Sequence, residues 1–289
     1  MQNSKPSILV TGGVGYIGSH TVVLLQQKGF DVVIADNLSN SNPAILQRIT
    51  QISGIRPRFY QVDLCHKKEV EQLFEREPRI EATIHFAALK AVGESVDNPL
   101  LYYKNNVGSL MTLLEVQQKF GVSDLVFSSS CTVYGEPDQL PVTENSPIKP
   151  PLSPYGNTKQ IGEEIIRDQS LSSDLNCIAL RYFNPVGAHQ SALIGELPNG
   201  TPNNLVPFIT QTAIGKQSFL KVFGSDYNTS DGTCVRDYIH VEDVAEAHVS
   251  ALNRLLRKQN EQSFEVFNIG TGRGYTVMAV SYTHLRAHE

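Results

Sequence analysis

The apolar positions of the chain fall into short runs separated by amphipathic and polar stretches. Ser7 to Val10 is one such run and stops at Thr11-Gly12-Gly13. Ile17 to Lys28 then carries Ile17, Val22, Leu24 and Leu25 in a helical pattern. Phe30 to Ala35 is a second apolar run, closed by Asp36. Strand, glycine turn, helix, strand and acid make a complete βαβ unit. Further strands are predicted at Phe59 to Val62, Ala82 to Phe86, Leu125 to Ser128 and Cys177 to Tyr182, with helical stretches between them. Short apolar strands alternating with helices imply an α/β fold: a Rossmann-type, doubly wound parallel sheet covered on both faces.

After Phe183 the texture changes. Residues 184–235 are rich in Asn, Pro, Gly and Asp, with one helix predicted around Leu205 to Gly215. Val235 to Val249 returns to a strand-helix pattern, as does Phe264 to Ile269. The pattern predicts a sheet domain over 1–183, completed by parts of 235–272, and a smaller, interleaved lobe over 184–278. At the end an apolar helix starts near Thr276 and is expected to dissolve. The stretch 279–289, containing Ser281-Tyr282-Thr283-His284-Leu285-Arg286-Ala287-His288-Glu289, reads as a non-native tail on an incomplete chain.

Composition narrows the function classes. The 289 residues suffice for a sizeable core without disulfides or metals. Asp and Glu (29) outnumber Lys and Arg (24), and no basic stripe stands out, which argues against nucleic acid as a partner. An anionic small substrate needs only one or two local cations and a helix N-terminus. Cys65, Cys131, Cys177 and Cys234 are scattered, with no CxxC pair, and read as reduced thiols of a cytoplasmic protein. No secretory signal and no transmembrane run is seen, so no membrane partner is expected.

Gly12, Gly15 and Gly18 have the spacing GxxGxxG. Glycines let the backbone approach a pyrophosphate, whose charge then sits at a helix N-terminus. Asp36 can accept hydrogen bonds from ribose hydroxyls and would repel a 2′-phosphate. No Arg follows it in Asn37 to Asn42, which favours NAD over NADP. Asp63, ending the third strand, is a candidate adenine contact or an ordinary loop acid.

Tyr155 and Lys159 fit YxxxK and share one helix face. An ammonium beside a phenol stabilises the phenolate, so Tyr155 is expected to be tuned toward neutral pH and to take a proton from an alcohol. In isolation the pair would read as a surface helix contact. The run Ser128 to Gly135 follows an apolar strand and puts Ser130 or Thr132 at the carboxyl edge, within reach of the reacting oxygen.

Longer blocks are more specific: Phe86 to Ser95, Ser128 to Gly135, Ser153 to Gly156, Arg181 to His189, Pro202 to Leu205, Asp231 to Thr233 and Val235 to His240. With them, residues 7 to about 278 resemble the UDP-glucose 4-epimerases, of the extended short-chain dehydrogenase/reductase type. That resemblance implies an isomerase of galactose metabolism. It would epimerise UDP-glucose and UDP-galactose reversibly at C4, through a 4-keto intermediate, with NAD as cofactor and no metal. It implies that Tyr16, Ile17, Asp36, Asn37, Asn40, Ser41, Asp63 and Leu64 line the adenosine and pyrophosphate half of NAD. Phe86, Ala87, Lys90, Asn105 and Lys159 would hold the nicotinamide half, and Ser130 and Tyr155 would do the chemistry. Tyr182, Phe183, Asn184, Asn204, Leu205 and Arg236 would hold the nicotinamide or the UDP-sugar, with Lys90, Ser130 and Tyr155 also at the substrate. Arg236 suits a diphosphate clamp, the alternative being a salt bridge with Asp231 or Asp237. The resemblance further implies a homodimer through Pro99 to Phe120 and Asn157 to Gln169. Two rivals fit less well. A 4,6-dehydratase needs an Asp-Glu pair where Val133-Tyr134 stand, and a non-catalytic NAD-binding regulator would be expected to lose Tyr155 or Lys159. Nothing after Val277 matches the family's C-terminal substrate contacts.

Overall fold

The computed structural model describes residues 6–198, 200 and 202–286. The first half alternates strand and helix: β1 (Ser7–Thr11), α1 (Tyr16–Gln27), β2 (Asp31–Asp36), α2 (Ala44–Ser53), β3 (Arg58–Gln61), α3 (Lys67–Arg76), β4 (Ile80–His85), α4 (Val92–Asp97) and α5 (Pro99–Tyr102). A π-helical turn, Tyr103–Val107, joins α5 to α6 (Gly108–Phe120), which leads to β5 (Asp124–Ser130) and a 3-10 turn, Cys131–Tyr134. Then come α7 (Pro154–Ser172), β6 (Asn176–Tyr182), β7 (Asn184–Val186), α8 (Leu205–Ala213), β8 (Val235–His240), α9 (Val241–Leu256), β9 (Phe264–Ile269), β10 (Gly274–Thr276) and α10 (Val277–Arg286).

Seven strands form one sheet in the order β3-β2-β1-β4-β5-β6-β9, and every pair is parallel. Successive side chains point to opposite faces, so each strand feeds two cores. Ile8, Val10, Val32, Ile34, Val126 and Ile178 join apolar residues of α1, α2 and α9 on one face. Leu9, Val33 and Ala35 meet α3 and α6 on the other, where Leu125, Phe127 and Ala179 also pack under α6 and α7. The doubly wound α/β class expected from the pattern is what the chain adopts. Because all strands run the same way, Thr11, Asp36, Gln61, His85, Ser130, Tyr182 and Ile269 end along one edge. The order reverses between β1 and β4, the switch point at which open α/β sheets open a crevice.

Over the β6–β9 end of that edge lies a smaller sheet, β10-β8-β7, with α8 and α10. The chain leaves β6 for β7 through Phe183 alone. Against the expectation that the last helix dissolves, α10 continues to Arg286 with Ser281 buried; 287–289 lie outside the described residues. Among the described residues no helix is long and apolar enough to cross a membrane.

Candidate active site

The glycine turn is held by tight packing. Gly12 sits at φ +69° in the left-handed region, and its N–H donates to the Ala35 carbonyl at 2.8 Å. A Cβ there would lie 2.7 Å from the Ala87 nitrogen, and one on Gly18 would run into the Gly12 carbonyl oxygen. Gly15 is the N-cap of α1, with no side-chain cap and no acid in the first turn. The first amides of α1 are thus left for an anion. Asp36 is buried and closes the same cradle: Oδ2 accepts from Val14 N (3.1 Å), and Oδ1 from Leu38 N and Ser41 Oγ (both 2.9 Å). A carboxylate has about four lone-pair sites, so one remains for a ribose hydroxyl. The cradle therefore fits the adenosine and pyrophosphate end of a dinucleotide.

Asn37 donates to Asp63 at 3.5 Å and Asp63 accepts from Cys65 N at 2.9 Å, so these two residues shape the rim next to Asp36. Leu64 is buried in the core and Asn40 is exposed. Ile17 packs toward Tyr182, Ile239 and Val244. Tyr16 turns to the second lobe, donating to the Gly187 carbonyl at 2.7 Å.

Helix α7 begins where Ser153 Oγ accepts from Gly156 N (3.1 Å) and Pro154 takes the first helical position. This start fixes Tyr155 and Lys159 at the sheet's carboxyl edge, 9 % and 4 % exposed. Lys159 Nζ donates to the Ser128 carbonyl at 2.6 Å and lies 6.0 Å from the Tyr155 ring centre. Burial brings Lys159 down to about 8, with Glu163 working against it. Tyr155 differs from expectation: its phenol is pushed up, not down. Burial dominates, Tyr182 adds to it, and the Ser130 hydroxyl pulls the other way. Lys159 donates to the Ser128 carbonyl and is not among the leading causes of the phenol's shift, which are burial, Tyr182 and Ser130. Ser130 Oγ accepts from Thr132 N at 3.3 Å, while Thr132 Oγ1 is buried without a partner among the described residues.

The remaining predicted residues reach the same edge from other elements. Phe86 and Ala87 follow β4, where Ala87 N donates to Thr11 Oγ1 at 3.4 Å. Tyr182 ends β6 with its hydroxyl 2.5 Å from Ser128 Oγ. Phe183 packs against Gly270, and Asn184 donates to the Asp237 carbonyl at 2.9 Å. Lys90 is exposed: it lies over the Tyr16 ring and pairs with Glu196 at 2.9 Å. Glu196 also accepts from Asn204 at 2.6 Å, beside Leu205 at the start of α8. Arg236 is exposed, and the hydrogen bond found for its side chain goes to the Val235 carbonyl. Asp237 is engaged with Thr271 and Gly272, and Asp231 with Thr233 and Thr276, so the alternative salt bridge is not formed. Asn105 donates to Asn106 at 2.9 Å.

Sequence reasoning missed two buried polar residues. Asn106, in the π turn, accepts from Leu89 N and donates to Leu89 O and to Thr158 on α7. It joins the loop after β4 to the helix of Tyr155. His85 Nδ1 is 2.8 Å from Thr11 Oγ1, and burial lowers it to about 3, with Lys159 adding to the effect. It is a neutral strut beneath the glycine turn. For His85 a polar residue near the end of a predicted strand was the available signal; for Asn106 the sequence offers none.

Comparison with known proteins agrees with this geometry. The model of the NAD dependent epimerase/dehydratase family matches residues 8–270. The UDP-glucose 4-epimerase of Dictyostelium discoideum is 53% identical over 279 residues, covering 96% of this chain and 80% of that protein. That of Bacillus subtilis is 52% identical over 273 residues, covering 94% and 79%. Among solved structures, the UDP-glucose 4-epimerase from Bifidobacterium longum in complex with NAD+ and UDP superposes with a TM-score of 0.93 at 44% identity, covering 98% of this chain and 83% of that one. The chain belongs to the NAD dependent epimerase/dehydratase family, and within it to the UDP-glucose 4-epimerases.

Proposed function

We propose that the chain interconverts UDP-glucose and UDP-galactose by reversible, NAD-dependent epimerisation at C4 through a 4-keto intermediate, with Tyr155 as acid and base. The observation that carries this reading is the buried Tyr155–Lys159 pair beside Ser130, on the edge that also holds the glycine cradle and Asp36.

Bound NAD supplies reversible hydride acceptance at C4. The chain's own groups do the rest. Tyr155 takes the 4-hydroxyl proton and later returns it. A phenol raised by burial is a poor base, so a positive charge brought next to it is needed to lower it. Ser130, and Thr132 with its unpartnered hydroxyl, hold the sugar oxygen. Arg236, with no acidic partner among the described residues, grips the diphosphate while the hexose turns. Asp36 and the amides of α1 hold the adenosine and pyrophosphate of NAD, and Lys90, Asn105 and Phe183 border its other end. Asn184, Asn204 and Leu205 border the sugar nucleotide.

A homodimer through α5, α6 and α7 is part of the proposal. Leu100, Leu101 and Met111 of α5 and α6, and Leu171 of α7, are exposed large apolar side chains that pairing would cover. Free thiols at Cys65, Cys131, Cys177 and Cys234 fit a reducing cytoplasm. Purified protein incubated with UDP-galactose and no added NAD is expected to form UDP-glucose. A dehydrated keto sugar, or no product with NAD bound, overturns the reading.

A further inference from the structure

Behind the reacting edge lies a buried polar cluster that the catalytic assignments leave unused. Glu163 and Arg181 form an ion pair with each side chain 4% exposed. Glu163 Oε1 accepts from Ser129 Oγ (2.6 Å) and Arg181 Nε (2.9 Å), and Oε2 accepts from Arg181 Nη2 (2.5 Å). Arg181 Nη1 donates to the Tyr134 hydroxyl at 2.9 Å, which donates to Asn268 at 2.6 Å.

These side chains come from β5, the 3-10 turn, α7, β6 and β9, and each adjoins the site. Ser129 precedes Ser130, Arg181 precedes Tyr182, and Glu163 lies one helical turn beyond Lys159. Along β5 the side chain of Ser129 points away from those of Ser128 and Ser130. Its bond to Glu163 therefore anchors the strand end from behind while Ser130 faces the reaction. Helix and sheet are also close here: a Cβ on Gly162 would lie 3.0 Å from Phe127 Cζ. A buried ion pair adds little net stability, because desolvation offsets the attraction. Satisfied networks of this kind instead select one arrangement of the elements they join.

We propose that Glu163 is a positioning residue. Through Ser129 and Arg181 it sets the seat of α7 on the ends of β5 and β6, and so the placement of Tyr155 and Lys159 against Ser130 and Tyr182. This rests on the epimerase reading above. Its carboxylate also opposes the loss of charge that burial imposes on Lys159.

The test compares wild type, Glu163→Gln, the double variant Glu163→Gln/Arg181→Met, and Ser129→Ala. Thermal unfolding, bound NAD, and kcat and KM for UDP-galactose against pH are measured for each. Glu163→Gln strands a buried guanidinium and is expected to lose stability, which the double variant regains. In the double variant kcat is expected to stay at least about tenfold down with KM within about threefold, the signature of lost transition-state alignment. The alkaline limb of kcat should begin at lower pH, because Lys159 loses the charge that opposes its deprotonation. Ser129→Ala should lower kcat with NAD content and unfolding temperature kept. A folded double variant with the kcat and pH profile of wild type overturns the proposal. If the double variant does not fold, wild-type kcat in Ser129→Ala overturns it. An inactive wild type sinks the epimerase reading and this inference with it, whereas wild-type-like variants of an active enzyme sink this inference alone.

Discussion

Gly18→Ala isolates the cradle from the rest of the fold. The added methyl group would overlap the Gly12 carbonyl oxygen and lie 2.9 Å from Gly13 Cα. Both neighbours are backbone, so no side chain can swing aside, and the turn itself must move. The turn has little room, because Gly12 stands against the chain after β4. Overpacking of this kind costs about 1–3 kcal/mol. At roughly 2–4 °C per kcal/mol for a chain of about this size, the unfolding temperature should fall by roughly 2–12 °C. The same displacement carries the first amides of α1 off the pyrophosphate. Each ~1.4 kcal/mol lost there weakens NAD about tenfold, so the variant should purify with little cofactor. Differential scanning fluorimetry with and without added NAD, and mass spectrometry of released ligand, read both effects. Gly93→Ala is the control: it lies in α4 with open space around its Cβ position, and should be neutral or gain a few tenths of a kcal/mol. A Gly18→Ala protein with full NAD content and wild-type unfolding temperature would refute the cradle.

Tyr155→Phe should keep the fold and bound NAD but lower kcat by at least about 10²-fold, the usual loss for a removed acid–base group; turnover near wild type eliminates the assignment. Lys159 should tie stability to pH. It releases its proton near 8 when folded and near 10.5 when unfolded, so the unfolded chain binds more protons between those values. Its contribution is present above about 10.5 and lost as pH falls through 8, about 3 kcal/mol in all. Urea titrations of wild type and Lys159→Met should therefore converge in the wild type's favour as pH rises through that window, and a pH-independent difference contradicts the burial. Arg236→Leu, with no ion pair to break among the described residues, should leave unfolding temperature unchanged and raise KM for UDP-galactose about tenfold or more; an unchanged KM removes the diphosphate clamp.

Much of the frame was legible in the chain. The strands β1, β2 and β6 lie within a residue or two of the predicted runs, because apolar runs between glycines and helical stretches leave few alternatives. Gly12, Gly18 and Asp36 were readable because their chemistry is local, packed into one βαβ unit. Two kinds of information were not. Glu163 and Arg181 are eighteen positions apart on different elements, and nothing in either neighbourhood announces a buried pair. Likewise Asn106 acts on Leu89 and Thr158, which only the fold brings together. The direction of the Tyr155 shift failed for a related reason. Its spacing from Lys159 gives the neighbour's sign, but burial depth and the Ser128 carbonyl that occupies the ammonium are properties of packing. The end of the chain reversed the expectation of a dissolving helix, since Val277 to Arg286 holds a continuous turn ladder with Ser281 donating back to Val277.

The strand β9 pairs with β6 only after the chain has passed through β7, α8, β8 and α9. Bringing its ends together across roughly eighty residues costs about 4 kcal/mol of chain entropy on the logarithmic law. Early in folding the β6 edge thus stands bare, a hydrogen-bonding template open to any extended segment of another molecule. Translation that stalls within the excursion should leave a sticky half-built sheet, and recovery of native material should improve with slower, cooler synthesis that lets the returning strand arrive before a stranger does.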